Sequence, residues 1–281
     1  MDLDPVELVE PVRQIAQAAS SAILKIFYEG FTITEKADCS PVTEADIAAQ
    51  DCIVQGLSEL TPSVPVLSEE TEPVPFAERQ HWPWLWLIDP LDGTREFIRH
   101  NDEFCVNIAL INGHEAVFGL IYLPVSGVCY FAYRHGGAFK QMPDQLPSAI
   151  RSRRVDQRCI KVAGSRAAYS GGRLQTYLNY LGEHHYLSVG SALKSCLVAE
   201  GEVDLYPRFG PTCEWDTAAA QIIVEEAGGR LTDMAMCPLR YNARPTLINP
   251  DFFVFGDPSQ NWSRYLRTDP SPPTPHALRT L

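Results

Sequence analysis

The sequence predicts a mixed protein whose N-terminal half is α+β and whose C-terminal half is α/β. Two helical patterns and then a run of consecutive strands occupy the first half, whereas strands and helices alternate from about residue 159 onward. The 281 residues, 45% of them hydrophobic, are enough for a large core. We expect three segments: residues 1–145, residues 146–265, and a disordered proline-rich tail over residues 266–281.

Hydrophobic spacing defines the first elements. Apolar residues recur every three or four positions over about residues 12–27, which predicts an amphipathic helix. A short strand, FTITEKA (31–37), follows. The residues expected to break the chain after it are Asp38, Ser40 and Pro41. Thr43 and Asp46 form a capping-box pattern, which predicts a second helix beginning beside them.

Short apolar runs then predict strands. VPVL (64–67) is the first, and WLWLI (84–88) leads into Asp89. Three further runs, FCVNIAL, AVFGLIYL and VCYFAY, are joined at Asn112-Gly113 and Ser126-Gly127, pairs that are typical of tight turns. Together they predict an antiparallel meander.

The second half is predicted from its alternation of patterns. The predicted strands are CIKVA, HYLSV, VDLYP, GGRLTD and DFFVFGD. The predicted helices cover about residues 171–181, 191–200 and 216–227. This order is typical of an α/β arrangement.

Composition and charge exclude several classes of protein. The net charge of −12 argues against a nucleic-acid polymer as partner, because that binding needs a basic stripe. No apolar stretch approaches 18 residues and no signal-peptide pattern is present, so we expect a cytoplasmic protein without a membrane span. The eight cysteines form no CxxC pair and the seven histidines no HxxxH spacing, which predicts reduced thiols and no zinc site. Oligomeric state and peripheral membrane contact stay open.

Other short motifs favour other classes only weakly. The basic cluster RSRRVDQR (151–158) is interpreted as a solvated connection, with binding of a substrate phosphate as the minor alternative. Ser191 and Lys194 match the SxxK of serine acyl-transferases, but SDN and KTG are both missing from the sequence. Phosphatases with an aspartyl nucleophile have one residue between their aspartates, whereas two separate Asp89 from Asp92 here, which changes the face to which each carboxylate points.

Those two aspartates lie in the segment WLIDPLDGTREF (86–97), where an apolar run ends at Asp89 and Asp92 follows three residues later. Two carboxylates about 4 Å apart repel by roughly 4 kcal/mol at an effective dielectric near 20, so Asp89 and Asp92 must share a proton, face apart or bind a cation. Gly93 permits close backbone approach and Thr94 begins a predicted helix, so their amides are expected to form an anion cradle. The alternative is that Asp92 only caps this helix and Asp89 only satisfies a turn.

Further carboxylates lie at the ends of other predicted elements. Glu69 and Glu70 follow the strand VPVL, and Asp216 follows Trp215 at the predicted start of a helix. Each is ambiguous when taken singly, because acidic residues are common on surfaces and at helix N-termini. Together they form an oxygen-only ligand set, which suits Mg²⁺. The sequence therefore predicts a site for Mg²⁺ and phosphate.

Four motifs follow one another along the chain: SPVTEAD (40–46), LSEE (67–70), WLIDPLDGTREF (86–97) and CEWDTAA (213–219). In this order they resemble the lithium-sensitive, magnesium-dependent phosphatase superfamily of inositol monophosphatase and fructose-1,6-bisphosphatase, over about residues 10–257. The resemblance implies a layered αβαβα sugar-phosphatase fold with the site where the two halves meet.

Within that superfamily, residues 190–219 and the DGTREF ending most resemble bacterial 3'(2'),5'-bisphosphate nucleotidases. The resemblance implies removal of the 3'-phosphate of adenosine 3',5'-bisphosphate to give AMP, in sulfur assimilation. Two residues depart from the pattern, Ala192 where serine is expected and Ser195 where an aromatic residue is expected. Both departures bear on specificity.

The same resemblance implies two or more Mg²⁺ ions at the site. Glu69, Asp89 and the carbonyl of Leu91 would hold one ion. Asp89, Asp92 and Asp216 would hold a second, so that Asp89 bridges the two. One ion would lower the pKa of a bound water and the other would neutralise the leaving oxygen.

Three residues have implied catalytic roles: Asp46, Thr94 and Glu69. Thr94, hydrogen-bonded to Asp46, resembles the pair that orients the attacking water; the alternative is that Asp46 is only the capping-box residue. The residues implied to contact a small nucleotide substrate are Glu69, Leu91, Asp92, Gly93, Thr94 and Asp216. Helix 191–200 and Arg208 are the expected contacts for the remote part of that substrate.

Two alternative functions stay open at this stage. One is an inositol monophosphatase-like phosphomonoesterase, and the other is a non-catalytic phosphate-binding regulator. A regulator would keep the phosphate cradle but would not need a water-orienting pair, so the presence of Thr94 and Asp46 argues against it. A purely structural subunit would not need the carboxylates.

Overall fold

The computed structural model describes residues 3–35, 41–72, 74–165 and 172–266. The α-helices in these residues are α1 (Pro5–Glu29), α2 (Glu44–Leu60), α3 (Phe76–Arg79), α4 (Thr94–Ile98), α5 (Gly172–Leu181), α6 (Leu193–Ala199) and α7 (Ala218–Glu226). The strands are β1 (Ile33–Glu35), β2 (Pro41–Thr43), β3 (Val66–Ser68), β4 (Trp84–Asp92), β5 (Cys105–Asn112), β6 (Glu115–Leu123), β7 (Val128–Tyr133), β8 (Gly137–Gln141), β9 (Ser148–Ile150), β10 (Ile160–Gly164), β11 (His184–Ser188), β12 (Leu205–Arg208), β13 (Arg230–Asp233) and β14 (Phe252–Phe255).

Five layers of alternating helices and sheets form the core. Helices α1 and α2 cover one face of a seven-stranded sheet, and α6 and α7 lie between its other face and a five-stranded sheet. Helix α5 covers the far face of the five-stranded sheet. The predicted layered αβαβα fold is confirmed.

The first helix is longer than its apolar period predicts. It begins at Pro5 instead of residue 12, because the Asp4 side chain accepts a hydrogen bond from the Val6 N–H and Pro5 fits the first helical turn. The predicted capping box at Thr43 and Asp46 is present and starts α2. Pro41, predicted to break the chain, instead begins β2, while Asp38 and Ser40 lie outside the described residues.

The seven-stranded sheet has the order β3-β4-β5-β6-β7-β8-β9. From β4 to β9 each strand pairs antiparallel with the next, so the predicted meander is confirmed, and β3 joins β4 in parallel. Helix α3 and strands β8 and β9 were not predicted. Because β9 (148–150) still pairs with β8, the sheet continues past the predicted segment boundary at residue 145.

The five-stranded sheet has the order β11-β10-β12-β14-β13 and mixes parallel with antiparallel pairs. All five predicted strands of the second half are present. The basic cluster connects the two sheets: Arg153 pairs with Asp204 and Arg158 with Asp156, as a structural connection would. No helix in the described ranges is long and apolar enough to cross a membrane.

Candidate active site

A bulge at the end of β4 brings the two aspartates of the DPLD segment to one face of the sheet. Asp89 pairs with Asn107 and Asp92 pairs with Cys105, so three steps along β4 oppose two along β5. Asn107 and Cys105 are two residues apart and share a face, and their partners therefore share it too. The expectation that two intervening residues would turn the carboxylates to different faces is wrong, because simple alternation takes no account of the extra residue.

Three carboxylates from three separate segments converge beside this bulge. Glu69 directly follows β3, Asp89 lies in β4, and Asp216 comes from the second half of the chain. Each offers an oxygen atom, and these oxygens all lie within 4.8 Å of one another. Of the three, Asp89 is the most deeply buried, at 2% exposure.

Asp92 is adjacent to this trio and is oriented by neighbours of its own. Its Oδ2 accepts hydrogen bonds from the Ala192 N–H at 2.6 Å and from the Asn107 amide at 3.2 Å. The contact uses the backbone of residue 192, so it does not depend on the serine expected there. Asn107 was not among the predicted site residues, although its position opposite Asp89 in the predicted meander could have indicated it.

Burial and mutual repulsion raise the pKa values of the clustered carboxyls. The pKa of Asp89 lies well above its ordinary value, first because of burial and then because of the charges of Glu69 and Asp92. Burial, followed by the charge of Asp92, raises the pKa of Asp216 to about 8. A cation bound among these groups would relieve the repulsion that raises both values.

Asp216 ends a 3₁₀ turn (Glu214–Asp216), and helix α7 begins two residues later, at Ala218. The predicted helix start at residue 216 is therefore wrong. The Asp216 side chain accepts a hydrogen bond from the Cys213 N–H at 2.8 Å, so it caps its own turn. This capping uses Oδ2 and orients the carboxylate toward the cluster.

Asp46 and Thr94 meet beside the cluster, and Asp46 makes both of the contacts that were predicted for it. Its Oδ2 accepts the N–H and the hydroxyl of Thr43, each at 2.8 Å, which completes the capping box of α2. Its Oδ1 lies 3.2 Å from the Thr94 hydroxyl oxygen. That hydroxyl has a second acceptor, the Leu91 carbonyl, also at 3.2 Å. A single hydroxyl proton is thus shared between two acceptors.

The turn between β4 and α4 has the backbone geometry that its glycine predicts. Gly93 has φ = +94°, in the left-handed region. A Cβ atom at this position would lie 3.2 Å from the Glu103 carbonyl oxygen. Thr94 begins α4, and amides in the first turn of a helix have no acceptor within the helix.

Two cationic side chains lie close enough to the carboxylates to affect them. Arg208, at the end of β12, partly offsets the rise in the pKa of Asp216, and its buried Nε has no hydrogen-bond partner among the described residues. Lys194 is buried and donates to the carbonyl of Ser191 at 2.6 Å. Burial lowers the pKa of Lys194 to about 8, and the charge of Asp92 opposes that shift.

The donor set fits a hard divalent cation. Its clustered oxygens come from carboxylates, without histidine or cysteine among the trio, and their crowding is costly unless positive charge is present. Clustered carboxylates that could hold cations, beside a left-handed turn and a helix start that can bind an anion, form the kind of site that a metal-dependent phosphatase needs. The chain belongs to the inositol monophosphatase family, whose profile matches residues 4–262.

Individual relatives agree with this assignment. The chain is 47% identical to the 3'(2'),5'-bisphosphate nucleotidase CysQ of Escherichia coli K12 over 250 residues, which is 88% of this chain and 99% of that protein. It is 38% identical to CysQ of Haemophilus influenzae over 256 residues, 91% of this chain and 95% of that one. The crystal structure of CysQ from Bacteroides thetaiotaomicron matches with a TM-score of 0.77 and 38% identity, covering 89% and 97% of the two chains.

Proposed function

We propose that this protein is a 3'(2'),5'-bisphosphate nucleotidase that converts adenosine 3',5'-bisphosphate to AMP and phosphate in sulfur assimilation. The identity of 47% to a nucleotidase over 99% of that relative's length is the observation that carries the proposal. The carboxylate cluster supports the proposal, because its oxygens could hold the cations that such a reaction uses. The proposal includes the predicted cytoplasmic location and a small nucleotide as ligand.

The metal ions of the proposal are Mg²⁺, held by the clustered oxygens. Glu69, Asp89 and the Leu91 carbonyl would hold one ion, and Asp89, Asp92 and Asp216 a second. When bound, such ions supply an activated water and neutralise charge on the transferring phosphoryl group and its leaving oxygen. Resemblance to the family further predicts inhibition by Li⁺.

The protein's own contribution to the attack is to orient the water. When the Thr94 hydroxyl donates to Asp46 Oδ1, the lone pairs of Thr94 Oγ1 can accept a hydrogen bond from the nucleophilic water. Asp46 is kept in place for this task because its other oxygen is held by two bonds from Thr43. The capping box thus positions the acceptor on which the proposed water-orienting pair depends.

The phosphate under attack would lie against the start of α4. The amides of Gly93 and Thr94 are proposed to bind its oxygens, with Glu69 and Asp216 beside them. Arg208, whose buried Nε has no partner in the described ranges, and the segment before α6 are proposed to bind the remote part of the nucleotide. Candidate substrates all present a phosphate, so this remote part has to provide the discrimination.

A competition experiment tests the substrate. Adenosine 3',5'-bisphosphate, inositol 1-phosphate and fructose 1,6-bisphosphate are supplied together at equal concentration with Mg²⁺, and the products are separated by chromatography. We expect AMP as the dominant product. The variant Asp89→Asn serves as the negative control, with activity at least about a hundredfold lower, since it removes the bridging carboxylate. Dominant release of inositol would contradict the nucleotidase assignment and leave the family intact.

A further inference from the structure

A buried arginine outside the carboxylate cluster is held by acceptors from both halves of the chain. Arg79, at the end of α3, is 1% exposed. Its guanidinium donates to the Asn242 side-chain oxygen at 2.6 Å and to the Pro245 carbonyl at 2.6 Å, with longer bonds to the carbonyls of Val74 and Arg244. Its own carbonyl accepts a bond from the Asn242 amide at 2.7 Å.

Asn242 connects Arg79 to the turn that carries Asp216. Its backbone has φ = +52°, a left-handed conformation, and its N–H donates to Glu214 Oε2 at 2.6 Å. Glu214 is fully buried and is the first residue of the 3₁₀ turn that ends at Asp216. A second bond, from the Glu214 N–H to the Leu247 carbonyl at 2.8 Å, attaches the same turn to the same segment.

We infer that Arg79 is a positioning residue for the metal site: it holds residues 242–247 in place, and these hold the turn that presents Asp216 to Glu69 and Asp89. The inference rests on the proposed metal site. The Asp216 oxygen lies within 4.8 Å of oxygens of Glu69 and Asp89, and its turn belongs to the other half of the chain, so the turn needs an anchor that keeps Asp216 in the cluster before any cation binds. Arg79 also precedes β4, the strand of Asp89, and so links the two segments that carry these ligands.

Loss of the Arg79 side chain is expected to lower the affinity for Mg²⁺ more than it lowers kcat. If the turn relaxes away from the cluster, each binding event must first bring Asp216 back, which lowers the apparent affinity. Outer residues that orient metal ligands typically contribute about 10–100-fold in affinity. Once the ions are bound, the ligand geometry is restored and turnover should recover.

The test is Mg²⁺ binding by isothermal titration calorimetry on the full chain after treatment with EDTA. We expect Arg79→Met to raise the Kd for Mg²⁺ by about tenfold or more, while kcat at saturating Mg²⁺ stays within about threefold of the wild-type value. Arg79→Lys should restore part of the affinity, because it keeps a donor at the same place. The matched control is Arg153→Met. It also removes an arginine side chain, whose two hydrogen bonds go to Asp204 and not to residues 242–247.

A second variant covers the case in which Arg79→Met does not fold. Asn242→Gly keeps the left-handed backbone and the N–H to Glu214 but removes the side chain that binds Arg79, and it should raise the Kd as well. Equal Kd values for Arg79→Met, Asn242→Gly and Arg153→Met would overturn the inference. Absence of Mg²⁺ binding by the wild-type protein would instead overturn the proposed metal site on which it rests.

Discussion

At the scale of single residues, Asp46 makes the contacts that two different interpretations of the sequence require of it. The capping-box pattern and the motif resemblance assigned it different roles, and sequence alone could not choose between them. The structure assigns one oxygen to each neighbour, Oδ2 to Thr43 and Oδ1 to Thr94. A variant of Asp46 would therefore disturb the start of α2 together with the site, so Thr94 is the better residue for testing the proposed mechanism.

Thr94→Ala should lower kcat strongly and leave KM nearly unchanged. The hydroxyl is proposed to contact water and not substrate, and loss of such a group typically costs about 10²–10⁴ in rate. Steady-state kinetics at saturating Mg²⁺ measure both constants. Thr94→Ser keeps the hydroxyl and is expected to retain most activity. An effect confined to KM would contradict the water-orienting role and leave Asp46 as a cap.

At the scale of elements, periodicity predicted most helices and strands because buried faces leave a regular pattern. It did not predict α3, β8 or β9, which are short and carry few buried side chains. It also predicted the wrong faces for Asp89 and Asp92. Pro90 was the available signal, since proline inside a sheet strand is confined to edges and bulges.

Gly93→Ala should destabilise the protein more than Gly113→Ala does. Both glycines have positive φ, so each substitution costs about 1–2 kcal/mol of backbone strain. An added Cβ at Gly113 meets open space, whereas at Gly93 it meets the backbone of Glu103 and Phe104, which should add about 1 kcal/mol or more. Urea unfolding at fixed Mg²⁺ measures the difference. Equal losses for the two variants would show that the β4–α4 turn can shift to admit a side chain.

At the scale of the whole molecule, the site depends on the meeting of segments from the two halves of the chain, namely β3 and β4 from the first half and the turn of Asp216 from the second. Each carboxylate could be selected from the motif that contains it, because each lies at or beside the start or the end of a predicted element. Their convergence, and the contact of Arg79 with residues 242–247, depend on packing between distant segments, which no local pattern in the sequence encodes. Only the resemblance to the family predicted, before the structure was known, that the site lies where the two halves of the chain meet.

The stability of the EDTA-treated protein should fall as pH rises from about 5 to 8. Burial raises the pKa of Asp216 to about 8, far above its value in an unfolded chain, so the folded state binds more protons over this range. The stability present below the unfolded pKa is therefore lost as pH rises through the folded pKa. Mg²⁺ should restore stability most at the upper end, by about 2.7 kcal/mol at a concentration of 100 Kd.

Thermal melting across pH, with and without Mg²⁺, measures both effects. Asp216→Asn cannot ionise at this position, so its EDTA-treated form should lose less stability toward pH 8 and gain less from Mg²⁺. Glu214→Gln is a useful comparison, because burial raises the pKa of Glu214 to about 7 and this carboxyl is not a proposed ligand. Identical pH slopes for wild type and Asp216→Asn would contradict the raised pKa.

The bulge in β4 makes the spacing between Asp89 and Asp92 matter more than the residues that fill it. Of the intervening pair, Leu91 is proposed to serve the site through its carbonyl, which every amino acid has. Deleting one residue would remove the extra step along β4 and with it the bulge. The two aspartates would still share a face, as residues two apart in a regular strand do, but the backbone between them would lose the bulged conformation that presents the Leu91 carbonyl. Over evolutionary time this segment should therefore accept exchanges of side chains while resisting insertions and deletions, so its length is a better marker of a working site than its composition.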